Sequence, residues 1–190
     1  MTDIAQLHRR ALAETGATVA GIRPDQLADP TPAGEWDVRA LLNHVVSGNL
    51  WAAELAAGRT IAEVGDRLDG DVLADDAAAA YDASATSAAE AFEAPGALGA
   101  PCAVSYGPVP GSVYAGHRFL DVLVHGWDLA TATGQDSTLA PELVLGCLDV
   151  LEPQLGMLQA SGAFGSAVET PTDADPQTRL LGMLGRRAGA

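Results

Sequence analysis

Two helical segments carry the residues that most constrain the fold. The polar side chains of these residues can form one site only if the two segments pack side by side. The first, residues 38–57, places His44 beside apolar positions, and the second, residues 113–133, carries Asp121 and His125. Positions i and i+4 share one face of an α-helix, so Asp121 and His125 project together. Two imidazoles and one carboxylate are a known ligand set for catalytic zinc and for non-haem iron. The pattern predicts that the two helices are neighbours in a bundle and share a metal site.

The composition favours helices and argues against several classes of partner. Hydrophobic residues make up 48% of the 190 residues and aromatic residues only 5%, without long β-branched runs. A formal net charge of −15 with ten Lys and Arg argues against binding to nucleic acid or to an anionic membrane. Cys102 and Cys147 form no disulfide framework, and we see no signal peptide or membrane span. We therefore expect a cytoplasmic protein.

Apolar periodicity, with proline and glycine at the boundaries, predicts five helices and a short helical turn. Asp37 and Ser112 stand at expected N-cap positions, and Pro153 is expected to kink or split the last helix. The predicted helices cover residues 3–19, 38–57, 74–93, 113–133 and 141–160, and the turn covers 179–184.

Long connections separate these helices. Residues 58–73 are predicted to be irregular, and 102–106 to form a short extended piece. Four helices of similar length, plus an extra one, predict an all-α protein built as an antiparallel four-helix bundle with long crossover loops and an additional C-terminal helix. We expect residues 1–160 to form the bundle and residues 161–190 a tail, with its helical turn packed on the bundle.

The two segments resemble a known family of metal-binding bundles. Residues 31–46, TPAGEWDVRALLNHVV, are similar to the second helix of the DinB-like family, in the branch of the N-terminal domain of mycothiol-dependent maleylpyruvate isomerase. Residues 120–134, LDVLVHGWDLATATG, are similar to the fourth helix of that branch, and residues 175–181 resemble its tail. The resemblance covers most of the chain and implies a DinB-like fold.

The resemblance also implies a ligand set and a co-substrate. In that family one divalent metal is held by a histidine of the second helix and by a carboxylate and a histidine near the fourth, which fall here on His44, Asp121 and His125. Zinc is the expected ion, with nickel or iron as alternatives. Asp121 stands where the isomerase has the longer glutamate. Relatives use the open metal position for the thiol of mycothiol, which implies a small-molecule thiol and an electrophilic substrate as partners.

Three further side chains, Asp128, Arg118 and Trp127, are predicted to lie around the ligands or to line the pocket. Asp128 lies about one turn beyond His125, so it can orient that ligand or act as a base through water. Arg118 precedes Asp121 by three residues, although a surface position also fits it. Trp127 fits a pocket wall or the bundle core.

Three functions stay open from the sequence. The first is a thiol-dependent, mycothiol-using transferase or isomerase in which the metal activates a thiolate. The second is a metal-binding stress or sequestering bundle without catalysis, and the third is a metal-free structural bundle that forms a homodimer. A hydrolase that uses metal-activated water shares the ligand set of the first. Metal content separates the third function from the other two.

Overall fold

The computed structural model describes residues 3–156 and 165–187 of the chain. Seven α-helices lie in these ranges, together with a two-stranded antiparallel hairpin, so the predicted all-α class is confirmed. The helices are α1 (Ile4–Ala20), α2 (Val38–Ala56), α3 (Ile61–Val64), α4 (Ala77–Glu93), α5 (Gly111–Ala132), α6 (Pro141–Leu151) and α7 (Pro176–Met183). The hairpin strands, β1 (Pro101–Val104) and β2 (Gly107–Pro110), lie between α4 and α5.

The four longest helices, α1, α2, α4 and α5, form the predicted four-helix bundle. Helix α1 packs on α4 and α5, and α2 packs on the same two helices. His44 lies against Asp121, whereas Asn49, one turn further along α2, lies against Arg118, one turn earlier in α5. The two helices therefore run antiparallel, and residues from the N-terminal part of α2 face the middle of α5.

Helix α5 is the central element of the bundle and is buried on most of its faces. It contacts α1, α2, α6 and both hairpin strands, which agrees with a sequence that is apolar on nearly every side. Polar side chains on this helix lie where water is scarce, so they need partners within the protein. The largest fully buried side chains of the core include Tyr81, Phe92, Phe119, Leu41, Leu42, Leu120, Leu123 and Leu129.

Residue type alone predicted the cap of one helix correctly and the cap of another wrongly. Asp37 caps α2 as predicted, because its side chain accepts a hydrogen bond of 2.8 Å from the Ala40 N–H. The predicted cap at Ser112 is wrong: α5 begins at Gly111, directly after the hairpin, and has no side-chain cap. A Cβ at Gly111 would collide with the carbonyl of Ala97, so the helix starts at a point of close backbone approach.

Two other boundaries differ from the prediction. Helix α4 begins at Ala77 rather than at residue 74, because Asp76 accepts from a backbone N–H of the first turn and Ala74 has a left-handed φ of 51°. The connection predicted as irregular contains α3, a single turn. There the Thr60 and Glu63 side chains cap each other's backbone N–H groups.

The C-terminal part agrees with the predicted interruption at Pro153. Helix α6 ends at Leu151, and the chain continues as a 3-10 turn over Glu152–Gln154. Helix α7 packs on α6 and extends the turn predicted over 179–184 towards its N-terminal side. The remainder of the predicted fifth helix and the expected boundary at residue 160 lie outside the described residues. Within those residues, no helix combines the length and apolarity needed to cross a membrane.

Candidate metal centre

His44, Asp121 and His125 come together between α2 and α5, although His44 and Asp121 are 77 positions apart in the sequence. One potential ligand atom from each residue lies within 4.8 Å of the other two. The Nε2 atom of His44 is 3.3 Å from Oδ1 of Asp121, and the Nε2 atom of His125 is 3.6 Å from the same oxygen. The structure thus gathers the three side chains that the sequence singled out.

These separations fit the coordination of a metal ion. Two ligands about 2.0–2.1 Å from a tetrahedral zinc ion lie roughly 3.4 Å apart, close to the two nitrogen–oxygen distances of 3.3 and 3.6 Å. Imidazole and carboxylate ligands suit zinc, nickel and iron. The group can therefore hold a metal ion, and the assignment of these residues as its ligands stays a prediction.

The three side chains are buried to different degrees. The exposed fraction is 37% for the His44 side chain, 18% for Asp121 and 6% for His125. The group is therefore deep on its α5 side and open to solvent on its α2 side.

Arg118 lies one turn before Asp121 and is buried, with 8% of its surface exposed, so the alternative of a surface arginine is wrong. Its Nη1 donates a 2.9 Å hydrogen bond to Oδ2 of Asp121, the oxygen that the histidines do not approach. Its Nη2 lies 3.4 Å from the side-chain oxygen of Asn49. Arg118 therefore fixes the carboxylate and leaves Oδ1 turned towards the histidines.

The same contacts determine the charge of Asp121. Burial by itself would raise the pKa of this carboxyl, but Arg118 and the two histidines outweigh burial and hold the pKa well below its ordinary value. Asp121 is therefore a carboxylate at neutral pH. An ionised carboxylate is the form that binds a metal.

Asp128 contacts His125, one turn earlier in α5, and its role as a residue that orients a ligand stays a prediction. Its side chain is fully buried, and Oδ2 accepts a 2.9 Å hydrogen bond from Nδ1 of His125. A carboxylate can only accept, so Nδ1 carries the proton and a neutral imidazole keeps its lone pair on Nε2. Carboxylates behind metal-binding histidines commonly fix the tautomer in this way.

Of the tryptophans Trp36 and Trp127, Trp36 is the one that lies beside the three candidate ligands. Trp127 lies two residues past His125, about 200° around the helix, and lines a cavity of about 520 Å³ on the other side of α5. Trp36, which by sequence fits a pocket wall or the bundle core as Trp127 does, has its ring centroid 4.7 Å from that of His44 and 6.1 Å from that of His125. Trp36 is 40% exposed and forms part of the open rim. The sequence signals for Trp36 are its place directly before the Asp37 cap and its inclusion in residues 31–46.

Gly48 makes room for the guanidinium of Arg118. A Cβ at this position would collide with Nη1 and would lie 2.6 Å from Cζ. We expect Gly48→Ala to displace Arg118 from Asp121 and to lower the free energy of unfolding by about 2 kcal/mol, because a buried, charge-assisted hydrogen bond is lost. Urea denaturation measures this loss. The matched control is Gly116→Ala in α5, whose Cβ meets only the two Val150 methyl groups, at 3.3 and 3.7 Å. An equal loss in both variants would contradict the proposed cause.

Comparisons with known proteins agree with this fold. Residues 8–130 match the family described as the mycothiol maleylpyruvate isomerase N-terminal domain. The crystal structure of a histidine-to-alanine mutant of the mycothiol-dependent maleylpyruvate isomerase superposes with a TM-score of 0.63 at 15% identity, covering 88% of this chain and 78% of that one. At that identity the likeness concerns the fold alone.

Two relatives from Mycobacterium tuberculosis match nearly the whole chain. They are "Uncharacterized protein MT0763" of strain CDC 1551 / Oshkosh and "Uncharacterized protein Rv0738" of strain H37Rv. Each is 38% identical over 186 residues, which cover 97% of this chain and 98% of the relative. The resemblance seen in the sequence is confirmed: the chain belongs to the mycothiol maleylpyruvate isomerase N-terminal domain family.

Proposed function

We propose that this protein binds one divalent metal ion through His44, Asp121 and His125 and uses it to activate the thiol of mycothiol. The reaction is the transfer of that thiol to a small electrophile, or the thiol-dependent isomerisation of one. The observation that carries the proposal is the convergence of two imidazole nitrogens and one carboxylate oxygen within 4.8 Å. Zinc is the first choice of ion, and nickel and iron suit the same ligands.

The orientation of His125 supports a cation at this position. With its Nδ1 proton donated to Asp128, a neutral His125 presents the Nε2 lone pair to Oδ1 of Asp121 across 3.6 Å. A metal ion bound by both atoms would lie between them, and their separation suits two ligands of one ion. Arg118 neutralises the other oxygen of the carboxylate but does not reach between these two atoms.

The charges around the site favour an anionic thiolate. When bound, a divalent ion supplies positive charge that lowers the pKa of a thiol placed beside it. Arg118 adds a positive charge within hydrogen-bonding distance of Asp121. The negative charge of Asp121 therefore does not cancel the positive charge of the bound ion. The net charge of −15 over the whole chain repels a small anion, so the attraction has to come from the bound ion and Arg118.

The open side of the group determines how a thiol and an electrophile would enter. His44 and Trp36 form the exposed rim, and the indole offers an apolar surface beside the ligands. The thiol releases its proton to solvent, and its sulfur then forms a bond to an electrophilic carbon. In transfer, that carbon loses a leaving group, which departs with the electron pair of its bond, and the thioether is the product. In isomerisation, the sulfur adds to a carbon–carbon double bond whose electron pair moves onto the substrate; after rotation about the resulting single bond, the double bond forms again and the thiolate leaves. The similar solved structure is that of a mycothiol-dependent enzyme, which supports mycothiol as the thiol used by this protein.

The test begins with elemental analysis of protein purified without an affinity tag and reconstituted with zinc. We expect about one ion per chain. Cobalt-substituted protein is then titrated with mycothiol, and we expect a change in the visible spectrum together with mycothiol-dependent consumption of an alkylating electrophile. Metal without any response to the thiol would leave a sequestering bundle. The absence of metal after reconstitution would leave a structural bundle. That bundle is expected to form a homodimer, which sedimentation analysis detects.

A further inference from the structure

A buried arginine from the C-terminal segment reaches the far side of the metal ligands. Arg186 is 7% exposed, and it pairs with the fully buried Asp128, 58 positions earlier. Its Nε lies 3.2 Å from Oδ1 of Asp128 and its Nη2 lies 2.8 Å from Oδ2. That Oδ2 is the oxygen that accepts the hydrogen bond from Nδ1 of His125. The three side chains form one continuous chain of contacts.

We propose that Arg186 is a positioning residue for the metal centre, which acts on His125 by holding Asp128. The inference rests on the proposed function, since it assigns His125 as a ligand. A guanidinium that contacts both oxygens of a carboxylate fixes the plane of that carboxylate, which a single contact does not. With this plane fixed, Oδ2 of Asp128 stays aimed at Nδ1, and Nε2 of His125 stays aimed at the ligand group.

The end of α7 determines where Arg186 lies. Gly185 has a φ of 83°, its N–H bonds to the Gly182 carbonyl at 3.1 Å, and the Arg186 N–H bonds to the Leu181 carbonyl at 2.9 Å. This pair of bonds is the Schellman motif, in which a left-handed glycine ends a helix. The Arg186 Nη1 also donates a 2.7 Å hydrogen bond to the Leu184 carbonyl. The backbone position of Arg186 and the orientation of its guanidinium are therefore both fixed.

The helix that carries Arg186 is itself held against the bundle. Leu180, Leu181 and Leu184 are buried, and α7 packs on α6. The Gln177 side chain accepts from the Leu139 N–H at 2.9 Å and donates to the Ser137 carbonyl at 3.0 Å, which ties α7 to the loop after α5. The described segment 165–187 is thereby part of the support of the metal centre, and loosening it loosens His125.

The test compares Arg186→Met with Arg187→Met, since the neighbouring Arg187 is exposed. Zinc affinity is measured by competition with a chromophoric chelator. We expect Arg186→Met to raise the Kd about tenfold or more, in the range found for residues that orient metal ligands, and Arg187→Met to leave it unchanged. Arg186→Lys keeps the positive charge but has one nitrogen in place of the two that contact Asp128, and we expect an intermediate Kd.

A second readout needs no metal. Nitrogen NMR of the metal-free protein reports which ring nitrogen of His125 carries the proton, and we expect the Nδ1 proton form of the wild type to become a tautomer mixture in Arg186→Met. An unchanged Kd with an unchanged tautomer would overturn the proposal. Failure of the wild type to bind zinc would defeat the proposed function, while the tautomer would still decide the positioning role. If Arg186→Met does not fold, Arg186→Lys is judged by the same two readouts.

Discussion

Replacing His125 with alanine is expected to abolish stoichiometric zinc binding. Structural zinc sites contribute on the order of 10–16 kcal/mol through four ligands, so each ligand contributes about 3 kcal/mol and its loss weakens binding on the order of 100-fold. We expect His44→Ala and Asp121→Asn to have effects of the same size, because all three atoms lie within 4.8 Å of each other. Elemental analysis after dialysis and calorimetric titration measure the change.

The matched control for this prediction is His117→Ala. His117 lies on the same helix, two turns before His125, and is bonded to Tyr106 and Gln154 at 2.6 and 2.7 Å. We expect this variant to retain the full metal content, because its ring nitrogens are engaged away from the ligand group. If His117→Ala loses metal as His125→Ala does, or if both retain it, the ligand assignment is wrong.

The second large effect concerns His8, a histidine of α1 that takes no part in the site. Its ring is fully buried with its edge against Phe92, at a centroid distance of 5.2 Å. Neither ring nitrogen has a hydrogen-bond partner among the described residues. Burial, helped by the positive charges of Arg118 and Arg9, lowers the pKa of His8 to about 3. The folded protein therefore keeps this imidazole neutral in mildly acidic solution.

This pKa predicts a loss of stability in acid. In the unfolded chain His8 takes up a proton near its ordinary pKa of 6.5, whereas in the folded chain it does so only near 3. Between these two pH values the unfolded state thus binds more protons than the folded state. The free energy of unfolding therefore falls as the pH falls from 6.5 to about 3. Outside that window, the contribution of His8 to the free energy of unfolding does not change with pH. The slope is about 1.4 kcal/mol per pH unit, or on the order of 4–5 kcal/mol in all.

Urea denaturation of the wild type and of His8→Leu, at pH 7.5 and at pH 4.5, tests this expectation. Leucine cannot titrate, so the variant is expected to lose about 2–3 kcal/mol less than the wild type between the two conditions. His117→Ala serves again as the control and is expected to follow the wild type. Identical pH dependence in wild type and His8→Leu would show that His8 is not the group responsible.

Much of the site was predictable because it rests on local geometry. The i, i+4 relation of Asp121 and His125 and the one-turn relation of His125 to Asp128 follow from helix periodicity alone. The pairing of these residues with His44 was predicted because α2 is an amphipathic helix similar in length to α5 and both sequences resemble a known bundle. The four-helix core followed from the same periodicity.

The missed features depend on contacts that helical periodicity and residue type do not describe. Trp36 precedes α2, so no helical period indicates that its ring lies against His44. Arg186 reaches Asp128 across 58 positions, and its sequence neighbourhood resembles any basic tail. The Ser112 prediction failed because serine is a favoured cap by type, whereas the close approach of Gly111 to residue 97 determines where α5 begins.

The distance in sequence between the two halves of the ligand group has a consequence for a chain still being synthesised. At about 5–20 residues per second, His44 leaves the ribosome roughly 4–15 s before Asp121, which follows 77 positions later. During that interval the histidine has no partner ligands, and α2 has no α5 to pack against. A chain interrupted before α5 therefore cannot assemble the ligand group. Under the proposed function, the ion is bound only after α5 has been synthesised.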